Sequence, residues 1–328
     1  MRKLRSQHAF TLMEILVSTA ILALLLVGLT SLLGMTMRSY TRTTGKLETF
    51  EASRAAFDTM ARMLRQATLL SYLGYNDPTA PTAFQLKSDL HFLSGPQSDL
   101  SLSQTGAGST HAVFFQAPLG VADTALLQPA TSLLNAVGFF LAYGDDPYRP
   151  SAIQNLTPQR FRYRLFQYLQ PRENMTVYQY TIHDVGGILV GNTTYSGTDW
   201  FKTDVGALTG CQVLAENVVA LAILPVPQAL PGQAQSVPTA YLWNSRTSSN
   251  QLPRALKIVM AVIDEASAAR LGNASFPPPL LPSDLFTEAA KFEDDVIRLE
   301  KALSEHTPLL NFQIFRAEVA LPPANANL

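Results

Sequence analysis

Two kinds of chemistry are available in the first fourteen residues. Ala9 and Phe10 form a small–aromatic junction behind a basic leader that holds Arg2, Lys3 and Arg5. Glu14 follows at the rim of an apolar run, Ile15 to Met37, in which no side chain is charged. A carboxylate at membrane depth costs on the order of 3 kcal/mol, so a sequence keeps one where something pairs with it. Were the chain cut between Ala9 and Phe10, the new N-terminus would be an amine and Glu14 the fifth residue. The amine of one subunit would then be able to meet the carboxylate of its neighbour.

The remaining reactive side chains do not assemble by local spacing. Cys211 is the one cysteine, which excludes an internal disulfide and a cysteine-based zinc site. Between Gly210 and Val213 it reads as a small buried side chain. His8, His91, His111, His183 and His306 are scattered, no H-E-x-x-H is present, and no metal set follows from spacing. Gly106-Ala107-Gly108 lies in a Ser/Thr/Gly turn with no strand ahead of it, so it is not a phosphate loop. Ser94-Gly95 and Ser196-Gly197 lack the flanks of a nucleophile elbow. Asp145 and Asp146, between Gly144 and Pro147, read as a turn of solvated carboxylates, with calcium binding as the other reading. Asp294 and Asp295, near Arg298, read as surface charge. Asn155, Asn174, Asn192 and Asn273 sit in N-x-Ser/Thr sequons that read as chance occurrences. No catalytic constellation, cofactor site or metal site is expected.

Composition bounds the rest. The 328 residues are 47% hydrophobic and 15% charged, enough for one sizeable core beyond the apolar run. The formal net charge is −1; without Arg2, Lys3 and Arg5, 21 basic face 25 acidic side chains, a net of about −4. No basic surface for nucleic acid is implied.

The elements that position Glu14 begin with a helix. About 23 apolar residues suffice to cross a hydrocarbon core of ~30 Å, and the basic leader keeps the N-terminus cytoplasmic. Gly28, Ser31 and Gly34 on this span either allow close helix packing or stand as tolerated lipid-side residues. Beyond it, Leu47, Phe50, Phe57, Met60, Ala61 and Leu64 recur at helical steps, opposite Arg42, Lys46, Glu48, Arg54, Asp58, Arg62 and Arg65. No proline interrupts Phe10 to Tyr75. One helix from Leu12 to Leu70, roughly 90 Å long, is predicted, its first half suited to a membrane or filament core and its second to a globular head.

Tyr75-Asn76-Asp77-Pro78 ends the helix. Strands are predicted at Leu90–Leu93, His111–Phe115, Val137–Tyr143, Arg160–Leu165 (half-exposed, alternating basic and apolar), Thr176–Ile182, Val218–Leu224, Ala255–Ile263 and Phe312–Leu321. Pro225–Arg254 reads as a long exposed loop. Helices are predicted at Glu265–Leu271 and Ser283–Glu305. The second carries Leu285, Ala289, Phe292, Val296, Leu299 and Leu303 on one face and Lys291, Asp294, Asp295, Arg298 and Lys301 on the other. That stripe is expected to pack on the head's sheet, a partner helix being the alternative.

The basic leader, Phe10-Thr11-Leu12-Met13-Glu14 and the uncharged span together resemble the class III signal of type IV prepilins and type II secretion pseudopilins. The departure is Ala9, where the family usually has Gly. An ordinary secretory signal would put an A-x-A-like site after the apolar run, and Gly34-Met35-Thr36-Met37-Arg38 is a poor one. The resemblance implies cleavage after Ala9 by a prepilin peptidase, methylation of Phe10, and assembly through Phe10 and Glu14. Further on, Leu214-Ala215-Glu216-Asn217-Val218-Val219-Ala220-Leu221, Trp243 and Leu252-Pro253-Arg254-Ala255-Leu256-Lys257-Ile258 are similar to J-type minor pseudopilins. Phe92–Pro96, Ala112–Gly120, Tyr143–Asp146 and Asp264–Leu271 are similar to the prepilin-like Verru_Chthon cassette protein C family, which implies a bacterial envelope protein encoded beside other prepilin-like proteins.

These resemblances imply an α+β, pilin-like fold: a long N-terminal helix packed on an antiparallel β-sheet head with extra helices. The expected organisation is a leader (1–9), a transmembrane or filament-core half-helix (10–37), an amphipathic half-helix (38–73) and a periplasmic head (74–328). The expected function is that of a structural minor pseudopilin of a type II secretion-like pseudopilus, with prepilin peptidase, other pseudopilins and the inner membrane as partners and no nucleic acid. A minor pilin of a type IV pilus is the alternative, and a membrane-anchored enzyme the remote one.

Overall fold

The computed structural model describes residues 11–76, 80–102, 110–127, 130–150, 152, 156, 158–180, 183–185, 188–190, 198–228, 238–306 and 310–323. In chain order its elements are α1 (Leu12–Leu64), β1 (Tyr72–Tyr75), β2 (Phe84–Lys87), β3 (Leu93–Pro96), β4 (His111–Pro118), β5 (Leu134–Gly144), β6 (Arg162–Gln170), β7 (His183–Val185), β8 (Ile188–Val190), α2 (Asp199–Gly206), β9 (Cys211–Glu216), β10 (Val218–Val226), β11 (Trp243–Asn244), β12 (Ala255–Ile263), α3 (Glu265–Arg270), α4 (Phe292–Glu305) and β13 (Phe312–Ala320). The fold is α+β with antiparallel sheets. The chain divides into two compact units, Met1–Glu48 and Thr49–Leu328.

The second unit is built on two sheets. A six-stranded sheet has the order β11-β3-β4-β5-β6-β9, and a three-stranded sheet the order β10-β12-β13. Two hairpins, β1-β2 and β7-β8, complete the strands. The chain passes from one sheet to the other at Asn217, which takes a positive φ of 62°, a conformation asparagine tolerates better than most residues. Its N–H donates to Tyr163 O (2.7 Å), and its own carbonyl accepts from Ile263 N (3.0 Å). The pivot is thus tied to both sheets.

The three-stranded sheet is covered on both faces, which explains the unbroken apolar run of β10. Leu221, Ile223, Ile258, Met260 and Val262 join a core with Phe57, Met60, Ala61 and Leu64 of α1 and the aromatic residues of the large sheet. The Phe57 ring stacks on Phe315 at 5.8 Å. On the other face, Ala222, Leu224, Val259, Ala261 and Ile263 meet Phe292, Val296, Leu299 and Leu303 of α4. The apolar stripe of that helix packs on the sheet, as its spacing indicates. Within the large sheet, Phe114 lies against Phe201 at 3.7 Å and over Gly138, its partner in β5. A Cβ at Gly138 would come within 2.2 Å of that ring.

Several expectations need correction. α1 ends at Leu64 rather than near Leu70, because the chain turns to put Ala67 and Leu69 into the core and Thr68 against Gln116. Leu47 is exposed, so the stripe begins after it. β6 is buried on both faces rather than half-exposed. Its arginines are neutralised from afar: Arg164 Nε donates to Glu216 (3.0 Å) and Arg162 to Glu265 (3.2 Å), while Arg160, just ahead of the strand, bridges both acids. Thr176–Ile182 is no strand where it is described: Val177–Tyr180 forms a 3₁₀ turn with Val177 buried. In Pro225–Arg254, β10 continues to Val226, β11 pairs with β3, and Tyr241, Ser245 and Leu252 are buried, so the described part is not an exposed loop. Ser283–Glu305 is α-helical only from Phe292, although Leu285 and Ala289 are buried as that stripe requires. Asp295 is not surface charge; it is buried and accepts from Phe286 N (2.9 Å) and Arg298 (2.9 Å).

Candidate assembly site at the N-terminus

In the first unit, α1 opens on a reciprocal cap. Thr11 N and Thr11 Oγ1 donate to Glu14 Oε2 (2.9 and 3.0 Å), and Glu14 N donates to Thr11 Oγ1 (3.3 Å). This is a capping box, which satisfies two of the helix's orphan N–H groups. The sequence signal for it, Thr-x-x-Glu ahead of an apolar run, lies within the same five residues that suggested intermolecular pairing. Glu14 therefore has a partner within its own chain. Ala9 and Phe10, the expected processing junction, lie outside the described residues.

Behind the cap, Leu12–Met37 is long and apolar enough to span a membrane, and none of it is buried within the fold. Most of its hydroxyls are satisfied inside the helix: Ser18 donates to Glu14 O (2.6 Å), Thr19 to Leu16 O (3.0 Å), Thr30 to Leu26 O (2.9 Å) and Thr36 to Leu32 O (2.9 Å). Polar groups closed in this way need no partner in an apolar medium. What remains at the rim is one carboxylate.

Among the described head residues, the potentially reactive groups have structural surroundings. Cys211 is buried, and burial, with the Asp204 charge adding to it, pushes its thiol up to about 12. At that value it is no nucleophile at neutral pH. His91 is fully buried; its Nδ1 accepts from Trp200 Nε1 (3.1 Å) and its Nε2 donates to Asn244 Oδ1 (2.9 Å). His111 accepts from Ile223 N (3.0 Å) at Nδ1 and faces Phe286 O (3.3 Å) with Nε2. Burial drives its pKa down to about 4, against smaller upward effects from its carbonyl neighbours and Asp99. Asp145 meets Arg149 (2.5 Å) and accepts from Arg160 N (2.7 Å), so its oxygens are engaged by protein donors. Asn174 donates to Asp123 (3.0 Å), and Asn273 accepts from Phe161 N (2.7 Å). Asn155 and Asn192 lie outside the described residues. No group of three or more His, Cys, Asp or Glu among the described residues is placed to hold a metal ion. A cleft of about 190 Å³ is lined by Leu69, Leu70, Leu252 and Pro322 among others, with no ionisable side chain.

Residues 4–30 match the family described as the prokaryotic N-terminal methylation motif. Among solved structures, the chain is similar to a type IV-like pilin from Thermus thermophilus at 10% identity, over 84% of this chain and 97% of that one, with a TM-score of 0.33. No curated protein matches. The chain carries a prepilin-type motif, and that motif implies processing by a prepilin peptidase and assembly with other pilin-like subunits. The apolar helix beside it fits a membrane anchor.

Proposed function

We propose that this protein is a structural minor pseudopilin of a type II secretion-like pseudopilus, J-like and at or near the tip. It enters the inner membrane with its head in the periplasm, is cleaved between Ala9 and Phe10, and is methylated at Phe10. Residues 10–37 then serve as filament core, the rest of α1 as far as Leu64 as the amphipathic half-helix, and the chain after it as the head. The observation that carries this reading is a helix apolar on every side, unburied from Leu12 to Met37, with one carboxylate at its rim. Such a surface calls for lipid or the helices of other subunits. Glu14 sets axial register by exchanging its Thr11 contacts for the N-terminal amine of a neighbour. The two segments that resemble J-type pseudopilins run into β10 and onto β12, which are neighbouring strands, and this supports the assignment. The buried settings of Cys211, His91 and His111 favour a structural role over an enzymatic one.

Mass spectrometry of the protein from native membranes tests processing. A chain beginning at N-methylated Phe10 is expected; an intact Met1, or a cut beyond Gly34, would remove the filament logic. Glu14→Ala should leave membrane insertion intact and abolish co-purification with partner pilins, and unchanged co-purification would exclude the register role.

A further inference from the structure

The sheets of the head end in unequal edges. β11 is two residues long. β9 pairs irregularly with β6, between Leu165 and Phe166, and its Cys211 carbonyl accepts from the Tyr148 hydroxyl. β10 is held against the other sheet through His111 and the Thr110–Leu221 bridge. β13 has none of these protections. It is nine residues long and pairs with β12 without a register shift, from Phe312 opposite Ile263 to Ala320 opposite Ala255. Among the described residues, no backbone hydrogen bond reaches its outer side. A long regular edge with no proline or bulge is a template for another strand, and monomeric proteins usually blunt such edges.

Its side chains are also incompletely covered. Phe312, Ile314, Phe315 and Ala317 are half-buried, whereas Val259, Met260 and Ala261 on the adjacent β12 are buried. Arg316 and Glu318 are exposed and reach their nearest opposite charges, Glu300 and Arg254, only at 3.7 and 3.8 Å.

We infer that β13 is a self-complementary assembly edge, on which a second copy of this chain pairs antiparallel about a two-fold axis at Ala317. In this register Arg316 stands opposite the second copy's Glu318, and Glu318 opposite its Arg316. Phe315 meets Val319 and Ile314 meets Ala320, so the half-covered apolar side chains gain cross-strand partners. Charge fixes the register. A slip of two residues one way sets Glu318 against Glu318, and the other way Arg316 against Arg316. A slip of one residue turns every side chain to the wrong face. The product is an isologous six-stranded sheet continuous across both copies. The pairing rests on the strand alone and is independent of what Glu14 does.

The test uses the full chain in mild detergent, in a Glu14→Ala background so that filament contacts do not contribute. On the axis, Ala317 faces itself at a Cα separation of roughly 4.5–5.5 Å, which a disulfide spans. The Ala317→Cys chain should therefore oxidise to a homodimer at least tenfold faster than the Gln313→Cys chain. Two copies of position 313 would lie eight residues out of register, roughly 27 Å apart at strand rise. Glu318→Arg should weaken self-association tenfold or more in sedimentation equilibrium, and the double exchange Arg316→Glu with Glu318→Arg should restore it. Equal oxidation of the two cysteine variants, a monomer at all concentrations, or pairing of this strand only with a different protein would overturn the inference. If Ala317→Cys fails to fold by circular dichroism, the charge exchange decides alone.

Discussion

Leu24, Leu25 and Leu26 in α1 and Leu299 and Leu303 in α4 are the same side chain in opposite circumstances. The first three are 75%, 63% and 52% exposed, and the last two are fully buried. The difference lies in what surrounds them in sequence. Around Leu299, acids and bases occupy the other side of the helix, so only one face seeks apolar contact and the sheet supplies it. Around Leu25 there is no polar side to turn outward, and no one face of a folded head is able to satisfy the whole circumference. Apolarity with direction makes a core; apolarity without direction requires an apolar solvent or a bundle of like helices.

Putting a charge on each helix should break the contrast most sharply. Leu299→Asp buries an unpaired carboxylate between α4 and β12, in the class of changes that cost about 4–5 kcal/mol or more. The head should lose its cooperative melt by circular dichroism. Leu24→Asp should leave that melt unchanged while lowering membrane retention, by roughly 3 kcal/mol on insertion scales, as read by carbonate extraction. If Leu24→Asp also shifts the melt, the span is part of the head's fold.

A milder perturbation uses pH. His111 is neutral in the fold, with its pKa depressed from 6.5 to about 4. The unfolded chain therefore takes up a proton that the folded chain refuses as pH falls through this window. Stability is full above pH 6.5 and declines toward pH 4, by roughly 3 kcal/mol in all. The head's melting temperature should follow that slope while membrane retention does not, and His111→Asn should flatten it. The smallest effect is expected at Ile297, which is 64% exposed on the outer side of α4. Ile297→Lys should change stability by about 0.5 kcal/mol or less, and a larger loss in a urea titration would mean that this side of α4 is covered.

The same contrast shows what is legible in a sequence. The span and the stripe of α4 are local patterns, and they could be read. So could β12, whose predicted and observed bounds agree. The burial of β6 could not be, because Arg162 and Arg164 are admitted to the interior by Glu265 and Glu216, 103 and 52 residues away. α2 gave no periodic signal in eight residues, yet it delivers Trp200 and Phe201 to the core. Asp295 resembled its exposed neighbour Asp294 until Phe286, with a positive φ, turned its N–H toward the carboxylate. At the N-terminus, Thr11 carries the signal for the capping role of Glu14, overlaid on the pattern that a pairing role would also produce.

The stacking of Phe57 on Phe315 has a consequence for biosynthesis. The apolar stripe that ends α1 is made well before β13, the strand that covers it. As the chain emerges from the ribosome, Phe57, Met60 and Leu64 wait uncovered for partners not yet made. His111 waits likewise for Ile223, 112 residues downstream, and for Phe286, 175 downstream. Folding of the head is therefore a late event, slow for a topology so dominated by distant contacts. The interval before β13 arrives is when a chaperone or a neighbouring subunit would find its largest apolar target.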